Sequence, residues 1–373
     1  MAGIYIHIPY CKKACHYCNF HFSTTHSLLP QMVDAIVAEV LLQKEYLHEN
    51  IATIYFGGGT PSLLATDDLR LIVSQICSVF LVNNNVEITL EANPDDITED
   101  KLLAWKNIGI NRLSIGIQSF VEDDLRWMNR AHSASQAIKS IQLAQQFGFA
   151  NITIDLIYGT PTLTNDQWQA NVQTAINLGI THLSCYALTV EPKTALNKMI
   201  EQQKIANVDA EKQAHHFELL MQWLAAAGYE HYEISNFAKP GHRSKHNSAY
   251  WQGKNYLGIG PSAHSFNGKS RQWNIANNAL YMAGIALKTV PFTIEELTET
   301  QQLNEYIMTS LRTIDGISLQ YIGQIWGEDI ASIILQNAQP FIQSQSMILH
   351  EYQLQLTNAG KLLADGISAD LFQ

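Results

Sequence analysis

The stretch Gly3–Cys18, GIYIHIPYCKKACHYC, decides how the rest of this 373-residue chain is read. Its opening, Gly3–Ile8, is a predicted strand, with β-branched and aromatic residues in a short apolar run. Three cysteines follow at once, spaced Cys11-x-x-x-Cys15-x-x-Cys18. Close spacing in one loop lets three thiolates wrap a single inorganic cluster. Four ligands would close a 4Fe–4S cluster; three leave one iron open to a small molecule. A structural zinc site normally needs a fourth protein ligand, and His7, His16 and His21 are near in sequence. The gap pattern favours the cluster, with zinc or plain core cysteines as the alternatives. Tyr17, just before Cys18, is placed to pack over the cluster or a bound nucleoside.

Outward from that strand, further β-rich runs alternate with helical ones: Ile51–Phe56, Val86–Glu91, Arg112–Ile117, Ile152–Ile157 and His182–Leu188. Most read as too apolar on both faces for a solvated sheet. Helical patterns lie between them at Gln31–Tyr46, Asp67–Phe80, Glu99–Asn107, Ser133–Phe147 and Asp166–Leu178. Thr98 and Asp209 are predicted helix starts, and Gly228 a C-terminal cap. Repeated strand–helix units predict a parallel sheet. The expected fold class is α/β, a partial (β/α)6 TIM-like barrel; an open doubly wound sheet has the same local pattern. In such barrels the active site lies at the C-terminal ends of the strands, and the motifs described below fall there.

Three regions are expected: the barrel with its cluster at 1–235, a loop-rich connecting region at 236–290, and a mainly helical, winged-helix-like module at 291–373. The net charge of −11, with 34 acidic against 23 basic residues, argues against sequence-independent binding to nucleic acid. The last module therefore reads as a packing or partner domain, not a DNA reader. No run approaches the ~20 apolar residues of a membrane helix. The first residues lack the basic-then-apolar pattern of a signal peptide, so a cytoplasmic location is expected. The odd number of cysteines, five, does not suit a disulfide framework; Cys77 and Cys185 are expected in the core.

Phe56-Gly57-Gly58-Gly59-Thr60-Pro61 follows the second strand. Its glycines let the backbone approach a ligand closely, although a tight turn needs them too. Glu91-Ala92-Asn93-Pro94 ends the third strand; a carboxylate there suits ribose hydroxyls or an ammonium group, or is a surface-loop acid. Gln118 closes the fourth strand within GIQSF, and Arg130 is placed to pair with a carboxylate. Asp155 stands in the otherwise apolar ITIDLIYGTP, where a lone carboxylate is costly unless paired or functional. Tyr186-Ala187-Leu188 ends the sixth strand, ready to pack on an adenine.

The pattern Cys11-x-x-x-Cys15-x-Tyr17-Cys18 after the first strand of a (β/α) barrel resembles the radical S-adenosylmethionine superfamily. The resemblance implies that the open iron is chelated by the amino and carboxylate groups of S-adenosylmethionine. It also implies that the reduced cluster donates one electron to cleave the sulfonium C–S bond, giving a 5′-deoxyadenosyl radical. Tyr5-x-His7-Ile8-Pro9, GGGTPS, LEANP, GIQSF, DLIYGTP and YALTVEP are similar, in this order, to the oxygen-independent coproporphyrinogen III oxidase-like family. The likeness runs over essentially the whole chain. Carried over by position, Tyr5, Tyr17, Gly58, Gly59 and Thr60 line the S-adenosylmethionine site. Glu91, Gln118, Arg130, Asp155 and Ala187 complete it.

Two places separate this chain from the oxidase itself. The enzyme has a fourth Cys two residues after the third, where this chain has Phe20, and it carries an extension before its first strand. Further on, His246-Asn247-Ser248-Ala249-Tyr250-Trp251 resembles the H-N-x-x-Y-W hallmark of the HemW subgroup, heme chaperones that pass heme to acceptor proteins. His246 is then a candidate iron ligand, and Tyr250 and Trp251 offer flat faces to a porphyrin. His264 is a candidate second ligand or a wall of the cofactor site. The bland alternative is a loop packed on the barrel mouth with a hydrogen-bonded His. The resemblance implies heme-accepting partners, an electron donor such as a flavodoxin or ferredoxin, and peripheral membrane association through an acceptor. The expected function is a heme chaperone with a 4Fe–4S cluster, S-adenosylmethionine and heme. The alternatives are radical decarboxylation of porphyrinogen propionates, and a cluster-bearing interaction protein without turnover.

Overall fold

The computed structural model describes residues 1–373. Six strands pair side by side in chain order, all parallel: β1 (Ala2–Ile8), β2 (Ile51–Gly58), β3 (Val82–Ala92), β4 (Arg112–Gln118), β5 (Ile152–Tyr158) and β6 (His182–Ala187). A doubly wound sheet reverses its strand order at a switch point. No reversal occurs here, so the six units make the barrel-type α/β fold. The expected helices are present at Leu29–Leu42, Thr66–Val79, Glu99–Ile108, Ala134–Gln146 and Asn165–Asn177. Thr98 caps one of them by accepting the Lys101 amide, and Asp209 caps Ala210–Ala226 by accepting those of Glu211 and Lys212.

The strands are not apolar on both faces, which corrects the sequence reading. Ile4, Ile6, Ile54, Phe56, Leu90 and Leu113 are fully buried in one core of 55 residues beneath the helices. The residues between them are polar and face the inside of the curl. There Thr153 shares hydrogen bonds with Arg112 and His182, and the Ser184 hydroxyl donates to Asn236 Oδ1 at 2.9 Å. Tyr55, Glu91, Ser114, Asp155 and Ser184, from five consecutive strands, line one cavity of about 50 Å3. In a flat sheet the outer two would stand about 19 Å apart, so the sheet must be curled. Tyr and Thr hid this alternation, because they occur readily in strands whichever face they occupy.

The barrel does not close. Beyond β6 the sheet continues antiparallel through β8 (Asn236–Ala238) and β7 (Glu230–Glu233). On the other side β9 (Tyr256–Ile259) pairs parallel with β1, followed by β10 (His264–Phe266), β11 (Ser270–Asn274) and β12 (Phe292–Glu296). Leu257, Ile259, Tyr281 and Ile285 belong to the barrel core, so this region extends the barrel instead of merely connecting to it. The H-N-x-x-Y-W segment, expected as a loop, is the helix Lys245–Trp251. Ser244 caps it by accepting the Asn247 amide, and Glu87 Oε1 on β3 accepts the amides of Lys245 and His246 at 3.0 and 3.2 Å. This one long-range acceptor satisfies two first-turn donors that a local reading leaves orphaned.

A second core of 15 buried residues, from Leu303 to Leu371, holds the C-terminal module. The helices Glu299–Leu311, Leu319–Trp326, Glu328–Gln343 and Ala364–Leu371 pack with an antiparallel sheet. Its strands run in the order β13 (Ile317–Ser318), β15 (Gln353–Leu356), β14 (Met347–His350). Cys185 is buried as expected, but Cys77 is exposed. The buried stripe of its helix is Leu69, Ile72, Val73 and Ile76, and one further residue turns about 100° away from that stripe. No helix is long and apolar enough to cross a membrane.

Glu39, fully buried, ties the first helix to the added strands. Its carboxylate accepts from the Gly260 amide at 2.7 Å, Asn274 Nδ2 at 2.6 Å and the Tyr281 hydroxyl at 2.5 Å. Glu39→Ala would leave these donors buried without their acceptor, a loss of about 3 kcal/mol. The expected result is a lower urea midpoint with an unchanged m value; an unmoved midpoint would contradict the anchoring role.

Candidate cofactor site at the strand ends

The chain leaves β1 at Ile8 and folds the cysteine loop back on itself. The Cys11 amide donates to the Ser23 carbonyl at 3.0 Å, and the Ser23 amide to the Pro9 carbonyl at 2.9 Å. Cys11, Cys15 and Cys18 then line one cavity of about 410 Å3, within the usual size range of small-molecule sites. The ends of the other strands reach the same cavity through Gly58, Glu91, Gln118, Asp155 and Ala187.

The donor set fits a cluster better than a single zinc ion. His7 Nε2 is engaged by the His21 carbonyl at 2.9 Å, His16 Nδ1 by the Trp127 carbonyl at 2.9 Å, and His21 Nε2 by Asn278 Oδ1 at 2.7 Å. No three His, Cys, Asp or Glu side chains converge as a single-ion site. A 4Fe–4S cluster asks for something different, since each thiolate holds its own iron and the sulfurs surround a volume. Burial pushes the Cys11 thiol up to about 11 and raises that of Cys18 as well. Such thiols keep their protons at neutral pH unless a metal displaces them. Thr60 Oγ1 donates to Cys11 Sγ at 3.4 Å and Arg130 to Cys15 Sγ at 3.2 Å. Donors of this kind tune a cluster's potential.

These donors are themselves held. Arg130 also donates to the Gly116 carbonyl at 2.7 Å and to Asn93 Oδ1 at 2.8 Å, and Asn93 Nδ2 donates to Thr60 Oγ1 at 3.3 Å. A girdle therefore runs from Cys15 through Arg130, Asn93 and Thr60 to Cys11. A Cβ on Gly116 would stand 3.1 Å from the Arg130 guanidinium, so the missing side chain makes room for it. The glycine run works in two ways. Gly58, at φ +101°, donates its amide to Glu91 Oε2 at 3.2 Å. Gly59 lies so close to β1 that a Cβ would stand 2.6 Å from the carbonyl oxygens of Ile8 and Tyr10. Its smallness serves chain-to-chain packing.

Of the residues expected around S-adenosylmethionine, Tyr17, Gly58, Gly59, Thr60, Glu91, Gln118, Arg130, Asp155 and Ala187 line the cavity. Tyr5 does not; it lies deeper, with its hydroxyl 3.2 Å from His7 Nδ1 and its ring stacked on Tyr55 at 6.1 Å. Tyr55, Asn93 and Gly116 belong to the site without being singled out by the sequence motifs. Asn93 carried a signal, a polar side chain between a strand end and a proline; Tyr55 and Gly116 read as ordinary strand residues. Of the heme candidates, His246 and Tyr250 meet edge-on at 5.1 Å, while Trp251 and His264 have other partners. His246 is buried, shares a 2.7 Å hydrogen bond with Thr53 Oγ1 and stacks on Tyr55 at 4.9 Å. Its Nε2 has no partner, and burial pushes the imidazole down to about 3. Tyr250 packs edge-on against Tyr256 at 4.4 Å, and Trp251 lies 5.3 Å beneath the Arg312 guanidinium. His264 is exposed and stacks on Trp273 at 6.1 Å.

The profile of the radical SAM superfamily matches residues 5–175 of this chain. The heme chaperone HemW of Bacillus subtilis is 33% identical, over 98% of this chain and 98% of that protein. HemW of Escherichia coli is 35% identical over 70% of this chain and 69% of that protein. The bovine radical S-adenosyl methionine domain-containing protein 1, mitochondrial, is 32% identical over 86% of this chain and 75% of that protein. Among solved structures, the coproporphyrinogen III oxidase HemN of Escherichia coli superposes with a TM-score of 0.86 at 23% identity. That match covers 100% of this chain and 90% of that one, and it is a likeness of fold. The chain belongs to the radical SAM superfamily and, within it, to the HemW family. Membership in the superfamily implies a 4Fe–4S cluster and S-adenosylmethionine.

Burial, and then the charge of Asp155, pushes Glu91 up to about 7; burial pushes Asp155 up to about 6. A ligand bringing positive charge favours the ionised carboxylates, so its binding must release protons. Affinity for S-adenosylmethionine is expected to rise with pH through that interval. Calorimetry in buffers of different ionisation enthalpy reads the release, and net proton uptake would contradict it.

Proposed function

We propose that this protein is a heme chaperone, binding heme and passing it to acceptor proteins. Its barrel would hold a 4Fe–4S cluster on Cys11, Cys15 and Cys18, with S-adenosylmethionine on the open iron. The observation that carries this reading is Phe20. It stands where the resembling oxidase has its fourth cysteine, 65% exposed and lining the mouth of the cysteine cavity. The mouth therefore has an aromatic surface there and no further thiol. Whole-chain likeness to HemW proteins supports the same reading.

Once bound, the cluster supplies a low-potential electron to the sulfonium. The protein's own part is to position. Thr60 and Arg130 hold donors on two of the cysteine sulfurs. Glu91, gripped by Tyr55 and Gly58, presents a carboxylate to the ammonium or ribose, and Tyr17 walls the cavity. Heme would dock outside the barrel, because His246 is enclosed and has no open path to an iron. His264 is the exposed imidazole among the four candidates, and it is the ligand we assign. Acceptor proteins, a flavodoxin or ferredoxin as electron donor, and peripheral membrane association through an acceptor belong to the same proposal.

On one anaerobically reconstituted sample, heme titration is expected to give a Soret band and coproporphyrinogen III to be left unconverted. Slow cleavage of S-adenosylmethionine is compatible with this; formation of protoporphyrinogen IX would sink it. His264→Ala is expected to weaken or shift the Soret band, while His246→Ala leaves it in place. The reverse pattern would move the heme site to the enclosed helix.

A further inference from the structure

The helix Lys245–Trp251 touches two distant parts of the molecule. On one side, the His246 ring stacks on Tyr55 at 4.9 Å and 23°. The Tyr55 hydroxyl donates to Glu91 Oε1 at 2.8 Å, and the other oxygen of that carboxylate takes the Gly58 amide at 3.2 Å. On the other side, Trp251 lies beneath Arg312, the residue just after Glu299–Leu311. Arg312 also pairs with Glu233 on β7 at 3.8 Å and with Asp365 at 2.9 Å. One short helix thus joins the C-terminal module, through Tyr55, to a carboxylate that lines the cofactor cavity.

The fit around Tyr55 is tight on both faces. A Cβ on Gly57 would stand 2.9 Å from the Tyr55 ring and 3.0 Å from Glu91 Oε1, so the β2 backbone closes that side without slack. His246 closes the other. An imidazole is an expensive choice for mere filling, since its buried Nε2 has no partner. The bond from Nδ1 to Thr53 sets the plane of the ring, and that plane lies flat on Tyr55.

We propose that the helix Lys245–Trp251 is a positioning element of the cofactor site: His246 clamps Tyr55 onto Glu91, and Trp251 ties the clamp to the C-terminal module. This rests on the reading that the cavity takes S-adenosylmethionine; it does not depend on heme. His246 is a positioning residue here and touches no ligand.

The test is a double-mutant cycle on full-length, cluster-loaded protein, reading the dissociation constant for S-adenosylmethionine by calorimetry. Tyr55→Phe removes the hydroxyl from Glu91 and should weaken binding about tenfold. His246→Ala should weaken it in the same direction. The double variant should be no weaker than Tyr55→Phe alone, because both act through one contact. His246→Phe, which keeps a flat ring on Tyr55, should restore affinity to within about twofold of wild type. Additive losses, or unchanged affinity in His246→Ala, would overturn the proposal. If His246→Ala does not hold its iron, His246→Leu, bulky but without a flat ring, takes its place in the cycle. Heme binding is read separately on the same samples. A wild type that binds S-adenosylmethionine but no heme defeats the chaperone reading and leaves the cycle interpretable. A wild type that binds no S-adenosylmethionine defeats both.

Discussion

Along β1 to β6 every second side chain is apolar and packs under the helices, while the intervening ones turn polar groups into the curl of the sheet. An ordinary barrel of this type fills its centre with branched aliphatic side chains. Here the centre carries Tyr55, Glu91, Arg112, Asp155 and Ser184, among others, and each must find a partner or a ligand. Lower down they partner one another, as Arg112, Thr153 and His182 do. Near the strand ends Glu91 keeps the Tyr55 hydroxyl and the Gly58 amide as donors, yet burial still pushes both Glu91 and Asp155 up. The cavity beside the cysteines opens at that point. A half-barrel that is polar inside and open at its mouth suits a charged small molecule.

Much of this was legible in the sequence. The six strands, their helices and the cysteine loop are written in short-range patterns: Ile-rich runs, Thr98 and Asp209 as caps, three thiols in one turn. Motifs at strand ends were equally readable, because a parallel barrel brings every such end to one rim. What was not legible depended on contacts far apart in the chain. Glu87, 158 residues before Lys245, supplies the acceptor for the first two amides of the H-N-x-x-Y-W helix. Tyr5 reads as a cavity residue from its place in the motif, yet it lies three residues before the end of β1, in register with Tyr55 and below the cavity. Tyr55, Asn93 and Gly116 gained their importance only when folding set them beside Glu91 and Arg130.

The same long-range packing changes how the histidine motif is understood. In sequence it offers an iron ligand and two flat rings. In the fold the histidine faces inward, onto Tyr55, and the tryptophan faces the C-terminal module. On the reading proposed above, the exposed His264 is the heme ligand and the motif is part of the frame around the cofactor cavity.

Electron–nuclear spin resonance on the reduced, cluster-loaded protein, with S-adenosylmethionine carrying 15N and 17O in its methionine amino and carboxylate groups, addresses the open iron directly. Hyperfine coupling of both labels to the cluster is the predicted result. A reduced cluster that shows no coupling to either label, under conditions where calorimetry finds the cofactor bound, would contradict the account.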